Sequence, residues 1–256
     1  MTDLDITPPT LAYRWRHSTL VPITHVQSVE LDSLLGIERQ KAALVQNVQQ
    51  FVNGRPSNHV LLTGSRGTGK SSLVKALLTR FAADGLRVVE VHPHDLIDLP
   101  DVVAPLRERD ERFLLYVDDF SVANNDRALM ALKTALDGGI EEPAENVLIV
   151  ATSNRRYLMP TMKADNNEFR WEDGELHAGE STEEKVSLSE RFGLWLSFPA
   201  FSQELYLDAV KLHLKLLGHP HWDEALRVLA LRWALNRASR SARVARQFAQ
   251  DYCGRT

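Results

Sequence analysis

A glycine-rich stretch constrains the fold of this chain more than any other feature. Residues 64–71 read G-S-R-G-T-G-K-S, which fits the pattern G-x-x-x-x-G-K-S. The mostly apolar residues 59–63 predict a short buried strand, and residues 72–78 predict the first turns of a helix. Glycines let several backbone N–H groups turn inward, and the helix adds the positive end of its dipole. The sequence therefore predicts a phosphate-binding loop between a strand and a helix.

The residue types in this stretch point to ATP and Mg²⁺ as cofactors. Lys70 is long enough to reach the β- and γ-phosphates, and the Ser71 hydroxyl can coordinate Mg²⁺. We therefore expect the nucleotide to be held by the loop and the start of its helix, through Gly64, Ser65, Arg66, Gly67, Thr68, Gly69, Lys70, Ser71 and Ser72. A glycine-rich turn that merely precedes a helix is the alternative interpretation.

Strands alternate with helices along most of the chain, and only helices are predicted after residue 200. The predicted strands are nearly continuous apolar runs, at 59–63, 86–91, 112–117, 146–151 and 194–198. Such runs are typical of parallel strands that helices cover on both faces. We therefore predict an α/β fold, with a parallel five-stranded sheet in an αβα nucleotide-binding domain over 29–199 and a small all-helical lid over 200–256.

Two segments do not follow this alternation. Residues 1–28 mix prolines, aromatics and arginines, and we predict an irregular N-terminal arm that packs on the core or reaches a neighbouring subunit. Residues 164–185 are rich in acids and form an insertion in which an Asp-Gly pair separates alternating residues, the signal of a β-hairpin. This hairpin would contact a partner, or the insertion would be a solvated loop.

Composition excludes several classes of protein. The net charge of −4 provides no global basic field for nucleic acid, although it leaves a local basic patch open. Cys253 is the only cysteine, so no internal disulfide forms, which fits a reducing compartment. No apolar run approaches the roughly 20 residues of a membrane helix, and the acidic start Met1–Asp5 lacks the apolar core of a signal peptide. We expect a cytoplasmic protein with no membrane partner.

Carboxylate and amide side chains end two of the predicted strands. Asp118 and Asp119 follow strand 112–117, where an enzyme with a phosphate-binding loop needs to coordinate Mg²⁺. Asp118 is expected to hold the metal through water or through Ser71, and Asp119 to polarise the attacking water. Asn154 follows the next strand and would orient that water, unless it only serves a turn.

In their order along the chain, these motifs resemble those of an AAA+ ATPase. They are Leu35-Gly36-Ile37 as box II, Gly64 to Ser71 as Walker A, Asp118-Asp119 as Walker B, Asn154 as sensor 1, Arg191 as the arginine finger and Arg243 as sensor 2. The resemblance covers about residues 29–253. Residues 34–41, 151–156 and 186–194 are also similar to an uncharacterised bacterial family of AAA+ ATP-binding proteins with a domain of unknown function. That family implies a fold and an ATPase, but no cellular role.

The resemblance implies roles for residues far from the loop. Arg191 would project into the ATP site of a neighbouring subunit, in a homo-oligomer such as a ring or hexamer, although it could instead pair with Glu190 on its own surface. Arg243 would reach the γ-phosphate from the lid, with Arg240 and Arg246 as alternatives.

Leu35, Gly36 and Ile37 lie shortly before the strand that leads into the phosphate-binding loop. These residues would clamp the apolar face of adenine, or simply start the helix that follows them.

Two departures from the family pattern shape the functional hypotheses. Walker B usually ends in Asp-Glu, and Asp119 is one methylene shorter than Glu, so its reach to a water is poorer. The segment after the second predicted strand also lacks the aromatic and glycine of a translocating pore loop. We therefore weigh an ATPase that remodels or loads a macromolecular partner against a slowly hydrolysing switch akin to a helicase loader or transposition helper. A small-molecule kinase fits less well.

Overall fold

A seven-stranded sheet forms the centre of the computed structural model, which describes residues 10–120, 126–137, 142–154, 170–172, 175–177, 188 and 190–255. The described strands are β1 (Ala12–Arg16), β2 (Thr19–Pro22), β3 (Val60–Gly64), β4 (Leu86–Glu90), β5 (Arg112–Val117), β6 (Val147–Ser153), β7 (Arg170–Glu172), β8 (Glu175–His177) and β9 (Leu194–Phe198). The order in the main sheet is β2-β1-β4-β5-β6-β3-β9.

The five strands expected from the sequence are all present and pair in parallel. β3 lies between β6 and β9, and β5 lies between β4 and β6. The prediction of a parallel α/β sheet is thereby confirmed. Because parallel strands end at one edge of a sheet, the residues after β3, β5 and β6 meet there. Gly64 is the last residue of β3, and Asp118 and Asn154 directly follow β5 and β6.

The structure corrects the prediction of an irregular arm over residues 1–28, because residues 12–22 contain two additional strands. β1 pairs in parallel with β4, and β2 returns antiparallel to β1, so 12–22 extends the chain's own sheet. Tyr13 and Trp15 are 2% and 4% exposed, and Trp15 Nε1 donates to Asp98 Oδ2 at 2.9 Å. Burial of these two aromatic side chains therefore holds β1 in the sheet.

Seven helices are described: α1 (Glu38–Val52), α2 (Lys70–Phe81), α3 (Leu99–Arg107), α4 (Asp126–Asp137), α5 (Gln203–Leu216), α6 (Glu224–Asn236) and α7 (Ala242–Arg255). Apolar side chains of α1 and α2 fill a core with one face of the sheet. Side chains of α3 and α4 fill a second core with the opposite face. The result is the three-layer αβα arrangement expected from the strand composition.

The last three helices share a core of their own. Phe201, Tyr206, Val210 and Phe248 are among its buried members, and the Tyr206 hydroxyl donates to the Ala230 carbonyl oxygen at 2.9 Å. The last described helix ends at Arg255, and the boundary of the lid at residue 200 stays a prediction. No helix among the described residues is long and apolar enough to cross a membrane.

Part of the acidic insertion lies within the described residues. β7 and β8 pair antiparallel, with Trp171 opposite Leu176. The Asp-Gly pair between them and most of 164–185 lie outside the described residues. The partner-binding role of the insertion therefore stays a prediction.

Candidate functional site

The phosphate-binding loop joins the end of β3 to the start of α2. Gly64, Gly67 and Gly69 have φ angles of 130°, 72° and 104°. Such angles suit glycine, because side chains disfavour them. A Cβ atom on Gly67 would lie 2.8 Å from Ser241 Oγ, so the lid approaches the loop more closely than any side chain would permit. Thr68, which is 2% exposed, closes the loop by donating to the Ser65 carbonyl at 2.8 Å.

The Lys70 ammonium group is held at the mouth of this loop. Lys70 is 5% exposed, and its Nζ donates to the carbonyl oxygens of Gly64 and Ser65, each at 2.8 Å. A third bond, at 3.2 Å, runs to Asn154 Oδ1. Burial lowers the pKa of Lys70, although attraction to the nearby aspartates opposes that shift. The ammonium group is therefore held against the loop by three hydrogen bonds.

Ser71 and Asp118 form the pair of oxygen ligands expected for Mg²⁺. Ser71 Oγ donates to Asp118 Oδ1 at 3.0 Å, and Thr152 Oγ1 donates to the same oxygen at 2.6 Å. Partial burial acts to raise the pKa of Asp118, but the hydrogen bonds from Thr152 and Ser71 hold that pKa below its ordinary value. The carboxylate is therefore ionised, as a metal ligand requires.

These two residues fit a magnesium site that depends on a bound nucleotide. The described residues contain no group of three or more His, Cys, Asp or Glu side chains that could hold a metal. Mg²⁺ commonly uses one or two protein oxygens together with substrate phosphates and waters. The donor set of Ser71 and Asp118 agrees with that mode of binding.

Asn154 connects Lys70 to Asp119. Its Oδ1 accepts the bond from Lys70, and its Nδ2 donates to Asp119 Oδ1. Asp119 has a φ angle of 55°, and its backbone N–H donates to Thr152 Oγ1 at 3.0 Å. Arg66 Nη2 lies 3.8 Å from Asp119 Oδ2. Lys70, Asp119 and Asn154, which the sequence predicted as site residues, therefore lie together. Both carboxylate oxygens of Asp119 face a donor group.

Sequence reasoning missed two residues of this cluster, Thr152 and Tyr116. Thr152 is 1% exposed and bonds to both aspartates. The Tyr116 hydroxyl is buried without a hydrogen-bond partner among the described residues. Each is a polar residue within an apolar strand, spaced by two from a functional candidate, which places it on the same side of that strand. That spacing was the available signal.

The three candidate arginines of the lid, Arg240, Arg243 and Arg246, differ in what they contact. The backbone N–H of Ala242 donates to the Gly67 carbonyl at 3.0 Å, and the Arg243 side chain starts beside Gly67. Arg240 instead lines a groove between the residues 200–203 and α6. Arg246 lies close enough to His213 to lower the pKa of that histidine, after burial as the main cause. Arg243 is therefore the candidate that lies against the phosphate-binding loop.

Leu35, Gly36 and Ile37 lie between the phosphate-binding loop and the lid. Ile37 is 2% exposed and approaches Gly69, while the Leu205 side chain of the lid packs against Gly36. α1 begins directly after Ile37, so these residues lead into a helix under either interpretation. The adenine-clamp interpretation stays a prediction.

Arg191 contacts a partner that the sequence did not indicate. Its Nε lies 2.5 Å from Asp137 Oδ2 at the end of α4. Buried Leu188 and Phe192 anchor this segment in the core below α3 and α4. The ion pair with Asp137 thus differs from the expected alternative, a pair with Glu190.

Comparison with known proteins agrees with this architecture. The replication factor C large subunit of Methanococcus maripaludis is 28% identical over 179 residues, which are 63% of this chain and 34% of that relative. The chain therefore spans about a third of the length of the relative. Two RuvB point variants from Thermotoga maritima match with TM-scores of 0.51 and 0.50, at 17% and 16% identity. Each match covers 88% of this chain and 72% of the solved one.

These matches establish the class of fold, and the family model covers nearly the whole chain. The predicted resemblance to AAA+ ATPases of a domain-of-unknown-function family is confirmed at this level. The chain belongs to the family described as protein of unknown function (DUF815), whose model matches residues 9–256, and its fold is that of the AAA+ ATPases.

Proposed function

We propose that this chain binds ATP with Mg²⁺ between β3 and α2 and hydrolyses it. The observation that carries the proposal is the Asn154 amide, which contacts both Lys70 and Asp119. One side chain thereby couples the cation that would bind phosphate to the carboxylate that would polarise water. A structural lysine buried for packing alone has no need of such a link.

Each residue of the cluster has a defined task in this proposal. Lys70 exchanges its bonds with the loop carbonyls for bonds with phosphate oxygens. Ser71 and Asp118 hold Mg²⁺, which supplies neutralisation of phosphate charge when it is bound. Asp119 accepts a hydrogen bond from the attacking water, and Asn154 fixes the direction of the Asp119 carboxylate.

We further propose that the site is completed by a second copy of the chain. The Arg191 guanidinium would stabilise the charge that develops on the neighbour's nucleotide. Within one copy this group is paired with Asp137, and the two side chains are 29% and 46% exposed. An ion pair of that exposure contributes little to stability, so a nucleotide with several negative charges can compete for the arginine.

A mixing experiment tests the shared site. Arg191→Ala and Lys70→Ala are each expected to lose ATPase activity, and an equimolar mixture of the two variants is expected to recover part of it. Recovery is expected because each mixed interface can pair an intact loop with an intact arginine. Arg227→Ala, which removes an exposed arginine paired with Glu224 within the lid, is the matched control and should retain activity.

The dependence of rate on protein concentration gives a second test. The ATPase rate per chain should rise with concentration in the wild type if neighbours share a site. A flat rate that Arg191→Ala leaves unchanged contradicts the shared site but not the phosphate-binding loop. Retained tight ATP binding by Lys70→Ala in calorimetry contradicts the loop assignment itself.

We propose that the chemical energy serves to remodel or load a macromolecular partner. The relative from Methanococcus maripaludis is named for replication, so DNA is one class of partner to examine. The lid carries exposed arginines suited to phosphate contacts, including Arg232, Arg237 and Arg240. Stimulation of the ATPase by DNA, with a strong salt dependence, would support that class. Its absence would favour a protein partner.

A slowly hydrolysing switch is the second candidate function. It is favoured by the surroundings of Asp119, whose two carboxylate oxygens face Asn154 and Arg66. A short carboxylate engaged in this way is less free to polarise water than a glutamate. Asp119→Glu is expected to accelerate turnover if this reasoning holds. Assembly that requires ATP but proceeds equally with a non-hydrolysable analogue would identify a switch.

A further inference from the structure

The Tyr116 hydroxyl is an unexplained polar group within the candidate metal site. Tyr116 is 5% exposed, and its ring packs in the core between the sheet and helices α1 and α2. Its hydroxyl is buried and has no hydrogen-bond partner among the described residues. An unpartnered buried hydroxyl destabilises a fold, so folded proteins contain few of them. A phenylalanine would fill the same space without that cost.

The groups around this hydroxyl are those of the proposed metal site. Ser71, Asp118 and Thr152 are its polar neighbours. A tyrosine hydroxyl is protonated at neutral pH, so it is available as a donor. Without metal, Asp118 Oδ1 already accepts hydrogen bonds from Ser71 and Thr152. Oδ1 therefore already has two donors, and the Tyr116 hydroxyl is not bonded to it.

We propose that Tyr116 is a positioning residue for the Mg²⁺ ligands, an inference that rests on the function proposed above. When Ser71 gives up its bond to Asp118 in order to coordinate the cation, the lone pair that becomes available accepts the Tyr116 hydrogen. Tyr116 would then hold the Asp118 carboxylate from β5, and Thr152 would hold it from β6. The Tyr116 hydroxyl is unpaired in the metal-free protein and gains a hydrogen bond in the metal-bound form. It therefore stabilises the metal-bound form relative to the metal-free form.

Thermal unfolding of two tyrosine variants tests this inference without measuring turnover. The melting temperature of the wild type, Tyr116→Phe and Tyr206→Phe is recorded in three conditions. The first is without ligand, the second with ADP and a chelator, and the third with ADP and increasing Mg²⁺. Ligands raise the melting temperature by binding the folded state, so the titration gives the Mg²⁺ concentration at half-maximal stabilisation.

The two variants are expected to respond in opposite ways. Tyr116→Phe should melt at or above the wild-type temperature without ligand, because it removes an unpaired hydroxyl. It should respond to ADP alone like the wild type, yet need about tenfold more Mg²⁺ for half-maximal stabilisation. Tyr206→Phe loses the hydrogen bond to the Ala230 carbonyl, so it should melt lower without ligand and show wild-type Mg²⁺ dependence.

Each contrary outcome has a distinct meaning. A Mg²⁺ requirement of Tyr116→Phe within twofold of the wild type overturns the positioning role while leaving the proposed function intact. A lower melting temperature of ligand-free Tyr116→Phe also overturns it, because the hydroxyl would then have a partner in the metal-free protein. Failure of ADP with Mg²⁺ to stabilise the wild type overturns the proposed function, and this inference with it.

Discussion

Thr152 bonds to both acidic residues of the candidate site, which makes Thr152→Val an informative change. The Thr152 hydroxyl donates to Asp118 Oδ1 and accepts from the backbone N–H of Asp119. Valine preserves the shape of the side chain and its suitability for β6, but it forms neither bond. The backbone of Asp119, with its φ of 55°, thereby loses one of the contacts that hold it.

The two lost bonds set the expected magnitude. A hydrogen bond to a charged group contributes about 1.5 to 3 kcal/mol, and the solvent exposure of Asp118 lowers that to about 1 kcal/mol. The unpaired backbone N–H of Asp119 costs about 1 kcal/mol more. We therefore expect Thr152→Val to lower the free energy of unfolding by about 2 kcal/mol.

Urea unfolding at neutral pH measures this difference, with Thr134→Val as the control. Thr134 donates only to a carbonyl oxygen of its own exposed helix face, so its loss should change stability by less than about 0.5 kcal/mol. A Thr152→Val effect no larger than that of Thr134→Val would refute the reasoning. It would mean that water replaces both bonds without cost.

The pH dependence of the same difference provides an internal check. The pKa of Asp118 is held below its ordinary value of 3.8, in part by Thr152. A lowered carboxyl pKa stabilises the folded state above the ordinary value, and that stabilisation is lost as the pH falls through the lowered pKa. The gap between wild type and Thr152→Val should therefore be constant near neutrality and narrow below about pH 4.

Three further changes test other parts of the argument. Asp119→Asn should keep ATP bound yet stop turnover, as calorimetry and phosphate release would show; unchanged turnover would move the activation of water to another residue. Gly67→Ala should lower the melting temperature and weaken ATP binding, because its Cβ would lie 2.8 Å from Ser241 Oγ at a φ of 72°; wild-type values for both would contradict the close contact with the lid. Burial lowers the pKa of His59 from 6.5 to about 4. The contribution of neutral His59 to the free energy of unfolding should therefore be fully present above about pH 6.5 and be lost as the pH falls toward 4. His59→Gln cannot titrate and should show a flatter melting-temperature profile over that range, whereas identical slopes would exclude His59 as the cause.

The parallel core of the fold could be predicted because its strands are continuous apolar runs. Those runs identify buried strands, and the glycine-rich loop after the first of them fixes the edge at which the site forms. The strands β1 and β2 could not be predicted in the same way. The turn between them is made by His17 and Ser18, both with positive φ, where the usual signal is Asn-Gly or Asp-Gly. The hairpin forms because burial of Tyr13 and Trp15 compensates for that strained turn.

In the candidate site, local sequence patterns predict some residues, whereas contacts between distant parts of the chain determine others. Ser71, Asp118 and Asn154 stand at strand ends or helix starts, so local patterns suffice to find them. The partner of Arg191 did not follow from local patterns, because Asp137 lies more than fifty residues away and reaches it only through the packing of α4. The spacing of two between Tyr116 and Asp118 was visible in the sequence, but the sequence does not show whether the Tyr116 hydroxyl has a hydrogen-bond partner.

Contacts between the phosphate-binding loop and the lid bring Arg243 and residues 35–37 into one connected arrangement. The lid touches the phosphate-binding loop through the bond from Ala242 to Gly67, and it touches the segment before α1 through Leu205 against Gly36. Both contacts depend on glycines, whose missing side chains let the lid approach. A nucleotide held between these segments would therefore press on the lid at its adenine end and at its phosphate end. We expect that a change at the phosphate end alone, from ATP to ADP, would tilt the lid about the contact at Gly36, and that Arg243, which starts beside Gly67, would respond to that change.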